Sequence, residues 1–115
     1  MRDFSVSGLL RRIAAEPAFQ ALLARARSAA PGAVLGPLGL GEPAQPAVVA
    51  ALADQVDVPF LWITAQPDEA RAVAESLQAY LARPDRVHVL PAPDALPFER
   101  IPWDPSTREQ RLATL

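Results

Sequence analysis

The sequence predicts an α/β protein: three αβα layers with a mainly parallel sheet, preceded by N-terminal helices. Three observations predict it. Phe60-Leu61-Trp62-Ile63-Thr64 is an almost unbroken apolar run, the pattern of a strand covered on both faces. Shorter apolar runs at Ala33–Leu35 and Val87–Leu90 flank it, and segments with helical periodicity lie between, giving the order βαβαβ. Parallel neighbours need such crossovers, which are strongly right-handed. Finally, Gly36 and Gly41 follow the first run and precede a helical segment, at the strand's carboxyl end, where open sheets of this kind bind ligands.

The helices are read from spacing and from proline. Ser7–Ala15 places Leu9, Leu10 and Ile13 on one side. Pro17 suits the first turn of a second helix, where its missing N–H costs nothing, and Phe19, Leu22 and Leu23 supply the apolar face. Gln20, Arg25 and Arg27 fall on the solvated face, and Pro31-Gly32 breaks the chain. Pro46–Val56 is a third helix with Val48, Ala51, Leu52 and Val56 inward. A fourth opens at Pro67-Asp68-Glu69, with two acids at the positive end of its dipole; its buried stripe is Ala70, Val73, Ala74, Leu77 and Leu81. Arg83-Pro84-Asp85 stops it. Pro91 to Pro105 holds five prolines and runs extended, with Leu96, Phe98, Ile101 and Trp103 as apolar anchors. Ser106-Thr107-Arg108-Glu109 fits a capping box for a last helix, whose stripe begins at Leu112 and Leu115. That helix ends without a stop signal, the mark of a truncated element.

Composition removes whole classes of chemistry. All eleven basic residues are arginine, so neither a lysine nucleophile nor a Schiff base is available. With no cysteine and one histidine, His88, there is no disulfide framework, thiolate zinc site or His-His metal pair. A net charge of -2 gives no overall positive field for DNA or an anionic membrane. No apolar run approaches the roughly 20 residues of a membrane span, and Met1-Arg-Asp-Phe-Ser lacks signal-peptide design. A cytoplasmic location is expected.

The glycine loop has two readings. Gly36 and Gly41 are spaced as in the phosphate-binding pattern G-x-x-x-x-G-K-[ST], with Gly39 between them. Glu42 and Pro43 stand where that pattern has lysine and a hydroxyl: one adds negative charge, the other removes an N–H. The loop is then P-loop-NTPase-like (helicase-like) but degenerate, keeping the shape without the chemistry. Otherwise it is a strand-to-helix turn that uses glycine for backbone freedom. Asp68-Glu69 is read as helix-dipole stabilisation rather than acid–base work, and His88 as packed or exposed. Arg108 and Arg111 share a helix face and pair with Glu109, reach another segment, or line a basic strip. Phe98 is expected to pack as core, and Trp103 to contact a neighbouring domain or to pack on its own sheet.

The block Leu90–Leu115 resembles the N-terminal region of the bacterial transcription-repair coupling factor family (Mfd). The matching residues are Ala95-Leu96-Pro97-Phe98-Glu99 for "TLPY(D/E)", Asp104-Pro105 for its proline-rich stretch, and Arg111-Leu112-Ala113-Thr114-Leu115 for "RL.TL". Leu35–Asp54 is similar to the family's degenerate phosphate-loop segment, and Phe60–Leu81 to the strand and helix that follow. The resemblance covers roughly residues 33–115; the helices before Pro31 match less well. It implies an N-terminal helical segment, residues 1–30, and the first part of a UvrB-like α/β domain, residues 31–115, incomplete at its C-terminus. It further implies a non-catalytic fragment with no cofactor. Gly36, Gly39, Gly41, Glu42 and Pro43 would be a vestigial phosphate loop, and Phe98, Trp103, Arg108 and Arg111 interface residues. The partners implied are the parent's other domains and, through the parent, UvrA, RNA polymerase and DNA, with no membrane. The parent would be an ATP-dependent DNA translocase; its motor and UvrA-recruiting insert lie outside this chain. A nucleotide-binding P-loop enzyme and a stand-alone α/β interaction module are the alternatives.

Overall fold

The computed structural model describes residues 6–93, 95 and 98–115. The expectations placed on Met1–Ser5, Leu96 and Pro97 lie outside these. Among the described residues there are five α-helices: α1 (Val6–Ala15), α2 (Pro17–Ser28), α3 (Gln45–Gln55), α4 (Pro67–Tyr80) and α5 (Pro105–Thr114). Two short 3₁₀ turns, Glu42–Ala44 and Pro84–Arg86, precede α3 and follow α4. Proline occupies the first turn of α2, α3, α4 and α5, where its fixed φ suits the helix and its missing N–H has no intrahelical partner to lose.

Helix α3 is the centre and packs against α1, α2 and α4, while α1 also meets α2 and α4. Its sequence is apolar around most of its circumference, as an enclosed helix requires. The buried residues are small where the helices approach: Ala47, Ala50 and Ala51 on α3 and Ala74 on α4. Phe19 and Leu23 of α2 fill the larger gap beside Ala51, flanked by Leu10, Ile13, Val48, Leu52 and Val56. This cluster crosses the boundary placed after residue 30. Arg27 adds a polar tie, donating from Nη2 to the Gln55 carbonyl at the end of α3 (2.8 Å).

The expected three-layer αβα sheet is not present: the described residues contain no strand and no sheet, and every regular element is helical. The runs at 33–35, 60–64 and 87–90 carry no regular secondary structure and are unpaired with one another. Their backbone groups turn elsewhere. The Leu35 carbonyl accepts from Arg25 Nη2 (2.7 Å), the Val89 carbonyl from Thr114 Oγ1 (3.4 Å), and the Val87 N–H donates to Pro84. Nor are the runs covered on both faces: Val34, Leu61 and Ile63 are 90%, 83% and 80% exposed. An apolar run dictates an extended chain readily enough. A sheet also needs a second backbone about 4.8 Å away, and no local pattern supplies that.

Helix α5 stands apart from α1–α4 and is fastened to the extended segment 89–91. Its N-cap is Asp104, which accepts from the Ser106 N–H (3.0 Å) and from the Ser106 hydroxyl. The expected Ser106–Glu109 capping box is therefore replaced by an Asp cap. Pro105 takes the first helical position, so the residue before it must supply the capping oxygen.

Candidate functional site

The glycine loop leads from Arg25's contact at Leu35 into α3. Gly36 has φ +81°, a left-handed conformation that glycine alone adopts without cost, and it re-aims the chain after the first extended run. A Cβ on Gly36 or Gly39 would meet nothing within 4 Å, so close backbone approach is no reason for either glycine. Gly41 is extended and caps the 3₁₀ turn that begins at Glu42.

A phosphate cradle depends on N–H groups left free to converge on one point. Here Leu40 N–H donates to Leu38, Ala44 N–H to Gly41, and Gln45 N–H to Glu42. Pro37, Pro43 and Pro46 have no N–H to offer. The Gln45 side chain closes the loop by donating from Nε2 to the Leu40 carbonyl (3.2 Å). Glu42 is exposed in the turn's first residues, where its carboxylate answers the helix dipole that an anion would otherwise use. The loop's underside and α3 form a shallow apolar recess of about 200 Å³, lined by Leu38, Leu40, Val48, Leu52 and Trp62. Trp62 is half-buried over this recess.

The other four named residues divide into a pair and two outliers. The Arg111 guanidinium lies over the Trp103 ring, 5.1 Å from its centroid, and Nη1 donates to the Pro91 carbonyl. Thr114, one turn on, reaches Val89 as well as its own helix at Gln110 (2.8 Å). Of the three readings open for Arg111, the structure realises contact with another segment. Arg108 is exposed, and its backbone N–H begins the helix by donating to Asp104 (3.1 Å). Phe98 is 80% exposed, which overturns its expected role as core. Its position in the "TLPY(D/E)"-like block says nothing of burial, because that block supplies no partner face of its own.

Sequence reading missed the jobs of Arg25 and Arg27. Both were placed on a solvated face, and both use that position to reach carbonyls that have no helix or sheet partner. Only distant carbonyls reveal this role, and periodicity cannot place them. His88 is exposed, and Asp68 pairs with Arg71 at 3.2 Å on the open face of α4. Among the described residues no three of His, Cys, Asp or Glu gather as a metal site, and no helix is long and apolar enough to cross a membrane. In comparisons with family models, curated proteins and solved structures, nothing matches the chain.

Proposed function

We propose that this chain is a non-catalytic N-terminal fragment of a bacterial transcription-repair coupling factor, acting as a scaffold that restrains a downstream DNA translocase. The observation that carries this reading is the job done by the residues of the "RL.TL"-like motif. Arg111 and Thr114 are the two side chains that fasten α5 to Pro91 and Val89, the segment that opens the same block. Motif residues that tie one end of a block to its other end are what a recurring module needs. The non-catalytic part of the reading is supported by the loop. The N–H groups of Leu40, Ala44 and Gln45 donate to the loop's own carbonyls, Glu42 is exposed beside it, and the chain has no lysine. The fragment needs no cofactor and resides in the cytoplasm. It meets UvrA, RNA polymerase and DNA through the parent protein.

The test is to add the purified chain to the separately purified motor part of a transcription-repair coupling factor. ATP hydrolysis should fall as the chain is titrated in, and calorimetry of the chain alone with magnesium-ATP should give no heat of binding. An unchanged ATPase rate overturns the restraint reading; micromolar ATP binding overturns the non-catalytic one. A second reading, a stand-alone protein-interaction module, is favoured by the exposure of Leu61 and Ile63. It predicts no effect on the motor and association elsewhere.

A further inference from the structure

The last residues of α3 and α4 meet one face of α1 around an open cavity of about 580 Å³. That volume lies within the about 300–1,000 Å³ that holds small ligands. Its floor is apolar and made largely of short side chains: Ala50 and Ala51 of α3, both buried, with Leu10 of α1 and Ala79 of α4 beside them. Of the lining residues only Arg11 and Asp54 carry charge. Neither side chain makes an ion pair or a hydrogen bond among the described residues, with each other or elsewhere. Arg25, Arg27 and Arg111, by contrast, are each bonded to a carbonyl. Asp54 is next to last in α3, and Ala79 and Tyr80 close α4. Both helices therefore bring the negative end of a dipole to the cavity, and neither has a basic residue in its last turn to answer it.

We propose that this cavity binds a small zwitterion with an apolar body, an amino acid or a short peptide. Its ammonium sits at Asp54 and the ends of α3 and α4, its carboxylate is taken by Arg11, and its side chain lies on Leu10 and the alanines. Charge complementarity selects this class. A simple amine would bring its charge against the Arg11 guanidinium. A simple carboxylate would bring its charge against Asp54 and two helix C-termini. A neutral apolar molecule would desolvate both charges and pair neither. A molecule with both ends meets each group with its opposite and is separated from the other three classes on that ground. Arg11 can hold a carboxylate through two parallel N–H donors, which also orients the ligand. The site does not involve α5, on which the proposed scaffold role rests.

Titration of the intact chain with L-phenylalanine, followed by nuclear magnetic resonance, tests the proposal. The ring resonances of Tyr80, the chain's one tyrosine, should shift saturably, together with amides of α1 and of the ends of α3 and α4. Two relatives of the probe each lack one charge: phenylalaninamide has no carboxylate and N-acetylphenylalanine no ammonium. Each should bind more weakly by about tenfold or more. Arg11→Met should erase the difference between phenylalanine and its amide. Asp54→Asn should erase the difference between phenylalanine and its acetyl derivative. Both positions are exposed, so helicity should hold. Ala79→Leu, also at an exposed position, fills the cavity from α4 and should abolish binding of all three probes. The dipeptide phenylalanyl-alanine separates the two sources: tighter binding than phenylalanine assigns the site to peptides, weaker binding to free amino acids. No saturable shift with either the amino acid or the dipeptide overturns the proposal. Binding that both charge variants leave unchanged also overturns it, because apolar contact alone would then account for the shift.

Discussion

The helical cluster α1–α4 and the C-terminal arm, residues 87–115, are held together by opposite means. In the cluster, the buried side chains are alanines and Pro46 plus Phe19 and Leu23, and helix backbones come close because little stands between them. In the arm, Leu90, Phe98, Ile101, Leu112 and Leu115 are exposed, and polar and cation–π contacts fix α5: Arg111 on Trp103 and Pro91, Thr114 on Val89. Hydrophobicity of a residue therefore does not locate the core in this chain. Burial follows from which faces a neighbouring helix can reach, and α5 has no helix beside it.

The largest effects should separate the two regions. Leu23 is 3% exposed and Phe19 5%. Truncation to alanine should cost about 2–5 kcal/mol for Leu23 and about 3–5 kcal/mol for Phe19, the loss of apolar burial plus an unfilled cavity. Filling space where none exists is the complementary test. Ala50 is fully buried, and Ala50→Leu should cost about 1–3 kcal/mol. Phe98→Ala, by contrast, should change stability by no more than about 0.5 kcal/mol, as for other exposed positions. Chemical denaturation of the four variants checks the set. A Phe98→Ala variant that unfolds as easily as Leu23→Ala would erase the distinction between the regions.

This contrast also explains what could be read from the sequence. All five helices were legible within a residue or two, because each is announced by local signals. Pro17 and Pro67 mark their starts, and the stripes Phe19/Leu23 and Val48/Ala51/Leu52/Val56 are the ones that meet in the core. The sheet was the error. Ala33–Leu35, Phe60–Thr64 and Val87–Leu90 have strand composition, but composition specifies one backbone and pairing needs two. In each of the first and last runs a side chain, from Arg25 or Thr114, takes a carbonyl that a neighbouring strand would have used. The loop's missing lysine and hydroxyl were legible as residue types. That the N–H groups of Leu40, Ala44 and Gln45 turn back onto the loop was not, since these residues give no local sign of where they donate.

A smaller effect should appear in the arm alone. Arg111→Met keeps the stem and removes both the guanidinium over Trp103 and the bond to Pro91. The cation–π contact is worth about 0.5–1 kcal/mol at a partly exposed site, and the hydrogen bond a similar amount. Protection of α5 amides from hydrogen exchange should fall, and the Trp103 fluorescence spectrum should move towards that of a solvated indole. Amides of α3 and α4 should keep their protection, because α5 lends them no packing. Loss of protection in α3 would mean the arm and the cluster open as one unit.

The smallest effect is electrostatic and lies at the start of α5. The Ser106 hydroxyl and N–H, donating to Asp104, hold its carboxyl below the usual carboxylate range; Arg83 does the same for Asp85 in an exposed pair at 2.9 Å. A carboxyl whose value is lowered by folding stabilises the folded state fully above its ordinary range. That contribution is lost as pH falls from the ordinary value through the lowered one. Acid should therefore fray α5 before it disturbs α1–α4, whose buried residues carry no charge. Asp104→Asn isolates the cause. Asparagine caps a helix about as well as aspartate, so α5 should form equally well at neutral pH. It cannot titrate, so the acid-dependent part of α5 fraying should vanish, leaving only what other groups contribute. Hydrogen exchange of the α5 amides in parent and variant, compared at neutral and acid pH, measures this. If the variant frays with acid just as the parent does, the cap is not the titrating group and the arm's acid response begins elsewhere.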